Sequence, residues 1–294
     1  MIAIRPHHAL CAQFYEGKGY DQRFVEHMSD TLLSFAEQDP LVTLTSACDH
    51  LCAACPHNEG DVCATDGKVR AIDERTIAAL GLSFGDSLRW SELIERARSS
   101  IVERGLLPSV CRDCEWINIC EQSSRATTAP LLLIKFGAKD KPLYDRLVFD
   151  QRVMNANYGR VFTEREADEL FAFVLAQNAE QTLFGFYKVY AMRGGMPVYI
   201  GLGAILSDED DSAELEYMLL PAYWHQGYGA KLAAKLVESA SSSPRVKRLV
   251  AITDPANVYS RRILTSLGFS MSKQGVNAEG ERIETYQKTI EERV

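Results

Sequence analysis

The stretch PAYWHQGYGAKLAAKLV, residues 221–237, decides the fold of the half of the chain that contains it. It leads from an apolar segment into an amphipathic helix, and Gly227 and Gly229 stand where that helix begins. Glycines there let backbone N–H groups approach an anion, and the helix dipole adds to the attraction. A dinucleotide fingerprint would need a third glycine at position 232, which is Leu232, and the Lys-Ser/Thr pair of a phosphate loop is also missing. Taken alone, Gly-Tyr-Gly is as much a plain helix start as an anion cradle.

The surrounding pattern narrows the choice. Upstream, LLLIKF (131–136) reads as a short buried strand, and TEREADELFAFVLAQ (163–177) as an amphipathic helix with Thr163 and Glu166 spaced as a capping box. FGFYKVYAM and VYIGLGAIL flank RGGMP (193–197), which predicts a hairpin, and AELEYMLL (213–220) predicts a further strand. Downstream come helix 228–241, strand RLVAIT (248–253), helix 256–267 and a last strand pair around 269–289. Alternating strands and helices make this half an α/β domain.

Together, QGYGA (226–230) and DPANVYSRRILTSLGF (254–269) resemble the GNAT superfamily of N-acetyltransferases, in the ribosomal-protein acetyltransferase-like branch, over about residues 130–294. The resemblance implies a mixed-sheet α/β fold and acetyl-CoA as cosubstrate. It assigns the pyrophosphate to the backbone of Gln226, Gly227, Tyr228, Gly229 and Ala230, and the pantetheine arm to Met218, Leu219 and Leu220 on a splayed strand. Asn257 and Ser260 match positions that contact the cofactor. Two positions depart from the pattern: Leu264 stands where many members have an acidic tyrosine, and Trp224 where Arg or Gln is usual.

Acetyl transfer to an amine needs a base for the amine proton, a donor for the developing oxyanion and an exit for the thiolate. Glu214 and Glu216 alternate onto one face of strand 213–220, and Glu216 is the candidate base, against the alternative of a solvated strand face. Tyr259 is the nearest candidate in sequence for the acid.

The first half carries different chemistry. All eight cysteines, Cys11, Cys48, Cys52, Cys55, Cys63, Cys111, Cys114 and Cys120, precede residue 121. Thiols in paired C-x-x-C spacing point to metal or redox work in a reducing compartment. Cys52–Cys55 with Cys111–Cys114 would make a zinc site from two knuckles. Cys48-x₃-Cys52-x₂-Cys55 has the spacing of radical-SAM enzymes, but about 120 helical, loop-rich residues supply no barrel for that chemistry. A third partition groups Cys52, Cys55 and Cys63 with Cys111, Cys114 and Cys120 around an iron–sulfur cluster shielded by Trp116, Ile117 and Ile119. RPHHALC (5–11), GKGY (17–20), the Cys52–Cys63 run and CRDCEWINIC (111–120) resemble a family of small cysteine-rich bacterial and archaeal proteins. That resemblance implies an iron–sulfur centre, with Cys48 peripheral; His7 and His8 read as capping or core groups.

SSRATTAP (123–130) marks the boundary, giving a metal domain over 1–125 and an acetyltransferase domain over 126–294. In the metal domain, Phe24, Met28, Leu32 and Phe35 form a helical face after Asp21, a candidate N-cap, and a second helix over 91–104 opens at Ser91. Charge divides at the same place: 12 Lys+Arg against 19 Asp+Glu before residue 126, and 20 against 21 after it, which together make the chain's net −8. An anionic first half without a basic stripe excludes nucleic acid as a partner. No apolar run reaches the roughly 18 residues of a membrane helix, and the start lacks a signal peptide's pattern, so a cytoplasmic protein without membrane partners is expected. The acceptor is a small-molecule or protein amine, and oligomeric state is not legible. Two other readings stay open: a redox or metal sensor whose transferase fold is regulated or only binds ligand, and a zinc-stabilised module that docks a protein substrate.

Overall fold

The computed structural model describes residues 2–180, 182–207, 211–277 and 280–290. The chain divides into two compact units, Met1–Leu132 with Tyr190–Val198, and Leu133–Val189 with Tyr199–Val294. The first unit thus takes in the tip of a hairpin that the sequence places wholly in the second half.

Unit one holds β1 (Ile2–Ile4), α1 (His8–Phe14), α2 (Gln22–Gln38), β2 (Leu41–Leu44), α3 (Asp66–Leu80), β3 (Ser87–Arg89), α4 (Trp90–Ala97), α5 (Leu107–Val110) and α6 (Ile117–Arg125). Its three strands form a small sheet in the order β1-β2-β3, with β1 parallel to β2. "Helical and loop-rich" therefore understates this unit; strands of three and four residues are too short to show a period in sequence. Asp21 caps α2 as its position suggests, its Oδ1 accepting from Phe24 N at 2.7 Å. Ser91 does not open α4. It sits one residue inside the helix, and its N–H and hydroxyl both donate to Asp39. The helix predicted over 91–104 breaks after Ala97 into one π-turn, Arg98–Val102. Trp90, Leu93, Ile101, Leu32 and Leu10 are fully enclosed and form the core.

Beside that core lies a buried ionic network. Arg5, 1% exposed, donates from Nε to Asp73 Oδ2 at 2.8 Å. His7 Nδ1 meets Asp73 Oδ1 at 2.6 Å. His8 Nδ1 meets Asp49 Oδ2 at 2.6 Å, and Asp49 also accepts from the backbone N–H of Arg5 and Cys52. Both histidines thus do structural work. Removing one member of such a pair leaves an uncompensated buried charge, so Asp73→Ala is expected to cost about 3–5 kcal/mol in chemical denaturation of the full chain.

Unit two is built on a seven-stranded sheet, β4 (Leu131–Lys135), β5 (Gly185–Arg193), β6 (Met196–Ser207), β7 (Ser212–Leu219), β8 (Arg248–Thr253), β9 (Ser270–Val276) and β10 (Arg282–Thr289). Their order is β4-β5-β6-β7-β8-β10-β9. Its helices are α7 (Lys141–Val148), α8 (Gln151–Asn157), α9 (Glu164–Asn178), α10 (Tyr228–Ser241) and α11 (Val258–Ser266). The Thr163–Glu166 capping box is formed at the start of α9. Helix α10 buries Leu232, Ala233, Leu236 and Ala240, one face at helical spacing, and packs on β7.

Candidate functional sites

In unit two the decisive feature is where two strands part. Strands β6 and β7 pair antiparallel from Gly201↔Leu219 to Ser207↔Ala213. The parallel pairing of β7 with β8 covers only Ser212↔Arg248, Ala213↔Leu249 and Glu214↔Val250. Strand β7 runs on to Leu219 and β8 to Thr253, so one edge of β7 beyond Glu214 is open to a ligand's hydrogen bonds.

The chain leaves that edge through a tight turn into α10. Gly227, the N-cap, has φ 85°, a left-handed conformation that costs a side-chain-bearing residue about 1–2 kcal/mol. Gly229 is needed for a different reason: a Cβ there would lie 3.2 Å from Ile263 Cδ1 of α11. No side chain caps the first N–H groups of α10, which leaves the cradle available to an anion. Trp224, the departure from the family pattern, has a structural explanation: its indole N–H donates to Leu219 O at 2.7 Å, tying the turn to the strand end. Of the pantetheine candidates Met218, Leu219 and Leu220, the Leu219 carbonyl is therefore already engaged, and Leu220 N donates to Ile200 O at 2.8 Å. Gln226 Nε2 donates to Ala222 O at 2.6 Å, inside the turn; Tyr228 is buried and Ala230 exposed at the start of α10. Gly227→Val is expected to weaken acetyl-CoA binding at least about tenfold, some 1.4 kcal/mol, by isothermal titration calorimetry.

Asn257 caps α11, its Oδ1 accepting from Ser260 N at 3.1 Å, while its Nδ2 donates to Ala156 O at 3.4 Å. The Ser260 hydroxyl lies 3.2 Å from Tyr217 Oη. Both residues are thus held on the flank of β7.

Glu216 is half-buried on β7, opposite Ala204 of β6. Burial, and then the charge of Glu214, raise its pKa from 4.5 to about 7, the range of a general base at neutral pH. Two tyrosines that the sequence does not single out share this place. Burial and the charge of Glu216 push Tyr144 of α7 up to about 12; the same two causes, joined by Tyr144 and Glu214, raise Tyr158, which caps α8. Both hold their protons at neutral pH. Tyr259 lies elsewhere: it is 56% exposed, its ring 4.5 Å from that of His225.

The chain is similar in part to known proteins. Residues 131–270 match the family model "Acetyltransferase (GNAT) domain". The second unit carries a GNAT acetyltransferase domain. An uncharacterized N-acetyltransferase, YnaD, of Bacillus subtilis is 25% identical over 149 residues, covering 51% of this chain and 83% of that protein. The FsC-acetyl coenzyme A-N(2)-transacetylase of Aspergillus fumigatus is 25% identical over 150 residues, 49% of this chain and 63% of its own. A GNAT-family acetyltransferase structure from Bacillus anthracis aligns with TM-score 0.47 at 19% identity, over 56% of this chain and 98% of that one. The chain is an N-acetyltransferase. Residues 19–120 match "Protein of unknown function (DUF1284)", so a DUF1284 domain precedes the GNAT domain. Among the described residues, no helix is long and apolar enough to cross a membrane.

The first unit gathers its thiols. Cys11, Cys52, Cys55, Cys63, Cys111, Cys114 and Cys120 line one cavity of about 260 Å³, with Trp116, Ile117 and Ile119 in its wall. The resemblance carried by RPHHALC (5–11) takes in Cys11 without naming it a ligand, and the cavity sets it beside the six candidate ligands. All eight cysteines are unbridged. Burial pushes Cys111 and Cys120 up to about 12, each helped by Cys114, and raises Cys52, Cys55 and Cys11. Redox-active thiols need the opposite shift, whereas a bound metal deprotonates buried thiols by its own charge. A tetrahedral zinc holds sulfurs at about 2.3 Å from the ion, hence within about 4 Å of one another. Among the described residues, the trio of potential ligand atoms within 4.8 Å of each other is His8, Asp49 and Cys52, not three thiols, and that carboxylate is already committed to His8 and two backbone N–H groups. Thiols spread around a cavity fit a cluster in which each binds its own iron.

Proposed function

We propose that the chain is a cytoplasmic, acetyl-CoA-dependent N-acetyltransferase whose acceptor is a cationic amine, fused to an iron–sulfur domain. The observation that carries the transferase reading is the opening of β7 from β8 beside the uncapped, Gly227-led start of α10. Acetyl-CoA lies with its pyrophosphate on the backbone of residues 226–230 and its pantetheine arm along β7, flanked by Asn257 and Ser260. The acceptor enters as an ammonium drawn by Glu214 and Glu216. Glu216 takes one proton from the ammonium; the free amine attacks the acetyl carbon, and as the C–S bond breaks the adduct's remaining extra N–H proton passes to the sulfur, which leaves as the thiol, giving the amide and protonated Glu216. A backbone N–H of β7 serves the oxyanion. Tyr144 and Tyr158 flank Glu216 as hydrogen-bond donors that orient the amine, and Tyr158, 39% exposed, is the more open to it.

In the first unit, Cys52, Cys55, Cys63, Cys111, Cys114 and Cys120 are the thiols from which the cluster draws its ligands. The reading is supported by seven cysteines around one cavity and by burial that raises Cys52, Cys55, Cys111 and Cys120. The cluster supplies a redox-responsive, structure-bearing centre when bound.

The transferase reading is tested by incubating the full chain with acetyl-CoA and a panel of cationic and neutral amines, following free thiol. Thiol release that depends on a cationic amine is expected. Release with neutral amines only would overturn the acceptor class, and no release with any amine would overturn the acceptor reading as a whole.

A further inference from the structure

The eight thiols come from two separate constructions. In the first, α1 and α5 both pack on α6. Cys11 rides on α1, Cys111 caps α5, and Cys120 lies in α6 with its N–H bonded to Trp116 O at 3.3 Å. A tight turn in which Cys114 N donates to Cys111 O at 2.9 Å places Cys114 between them.

The second construction is one local loop. A 3₁₀ turn, Leu51–Ala54, carries Cys52, and Cys55 N donates back to Cys52 O at 3.0 Å. The Asn58↔Cys63 bridge returns the chain so that Cys63 lines the same cavity as Cys52 and Cys55, and Asn58 Nδ2 fastens it to Cys52 O at 3.1 Å. Cys48 stands at the entry to the same turn, three residues before Leu51.

Tyr20 stands between the two. Its ring is edge-on to His57 of the loop at 4.8 Å and to Trp116 of the helical set at 6.0 Å. On the loop's side the buried guanidinium of Arg5 keeps Nη1 without a partner among the described residues, while lining the cavity. An orphaned buried N–H costs free energy unless something anionic meets it, and a thiolate-bound metal centre is anionic.

We propose that the first unit holds two four-thiolate metal centres, one on Cys11, Cys111, Cys114 and Cys120 and the other on Cys48, Cys52, Cys55 and Cys63, the second taking a hydrogen bond from Arg5. The inference rests on the metal-domain reading above and adds Cys11 and Cys48 as ligands.

The test is iron, zinc and sulfide analysis per chain of anaerobically purified full-length protein, with Cys111→Ser and Cys120→Ser for the helical set and Cys55→Ser and Cys63→Ser for the loop. Each variant is expected to keep half of the wild-type metal, and Cys111→Ser combined with Cys55→Ser to keep none. Cys11→Ser and Cys48→Ser should each also halve it. Acetyl-CoA binding by calorimetry reports that the variant chain is otherwise folded. Loss of all metal on changing either set would overturn the inference in favour of one shared centre. Full metal content after changing one set would overturn it for that set. Two zinc ions without sulfide would support two centres while removing the cluster assignment. A metal-free wild-type chain would remove both readings.

Discussion

Glu216→Gln is expected to lower kcat/KM for acetyl transfer by about 10²–10⁴-fold, the range for loss of a general base. The pH profile should change with it. A base works deprotonated, so the wild-type rate should rise through pH about 7, where Glu216 titrates, and the Gln variant should lack that limb. Stability should move the other way. The folded pKa of Glu216 lies above the ordinary carboxylate value of 4.5, so the stability tied to its proton is full below about pH 4.5 and is lost as pH rises through about 7. At 1.36 kcal/mol per pKa unit, the wild type gives up to about 3 kcal/mol by pH 8, which Glu216→Gln recovers. A variant that is slower and more heat-stable at pH 8 is the signature of a carboxylate held in an unfavourable place for its chemistry. A slower variant with an unchanged pH limb would instead assign the base to another group.

The second large effect concerns the metal. Stripping it from the anaerobic protein is expected to raise amide exchange about 100-fold in residues 46–65 and 107–122, whereas α2 and α4 stay protected. The reason lies in how the first unit is held together. Trp90, Leu93, Leu32 and Phe35 give its helices a dry apolar core, but the Cys52–Cys63 loop is half-exposed and offers only Leu51 and Cys52 to any core. A segment with so little buried apolar surface has little stability of its own, and under the proposed metal-domain reading metal–thiolate bonds would supply it. Unchanged exchange in both segments would mean that the thiols pack as small apolar groups.

Much of the second half of the chain is legible in sequence because local and tertiary preferences agree there. The Thr163–Glu166 box, the Leu232–Leu236 face of α10 and the hairpin around Gly194–Gly195 each announce themselves within a few residues. What escapes is long-range. Arg5 of RPHHALC is buried because Asp73 and Asp66, 68 and 61 residues away, pair with its guanidinium. Tyr144 and Tyr158 belong to no motif, and only folding α7 and α8 over β7 brings them to Glu216. Glu216 itself could be chosen from strand alternation, but its raised pKa comes from enclosure that alternation does not encode. The cysteine spacing pointed to a shared site for six thiols; Cys11 joins them through the packing of α1 on α6, a contact with no local signature.

The most direct test of the whole account is a calorimetric titration of the full chain with acetyl-CoA, repeated on Gly227→Val. One site per chain with a Kd in the range of about 1 μM–1 mM, weakened at least about tenfold in the variant, is the predicted result. Equal binding by both proteins would contradict the placement of the cosubstrate on the α10 turn, and no binding by the wild type would contradict the account as a whole.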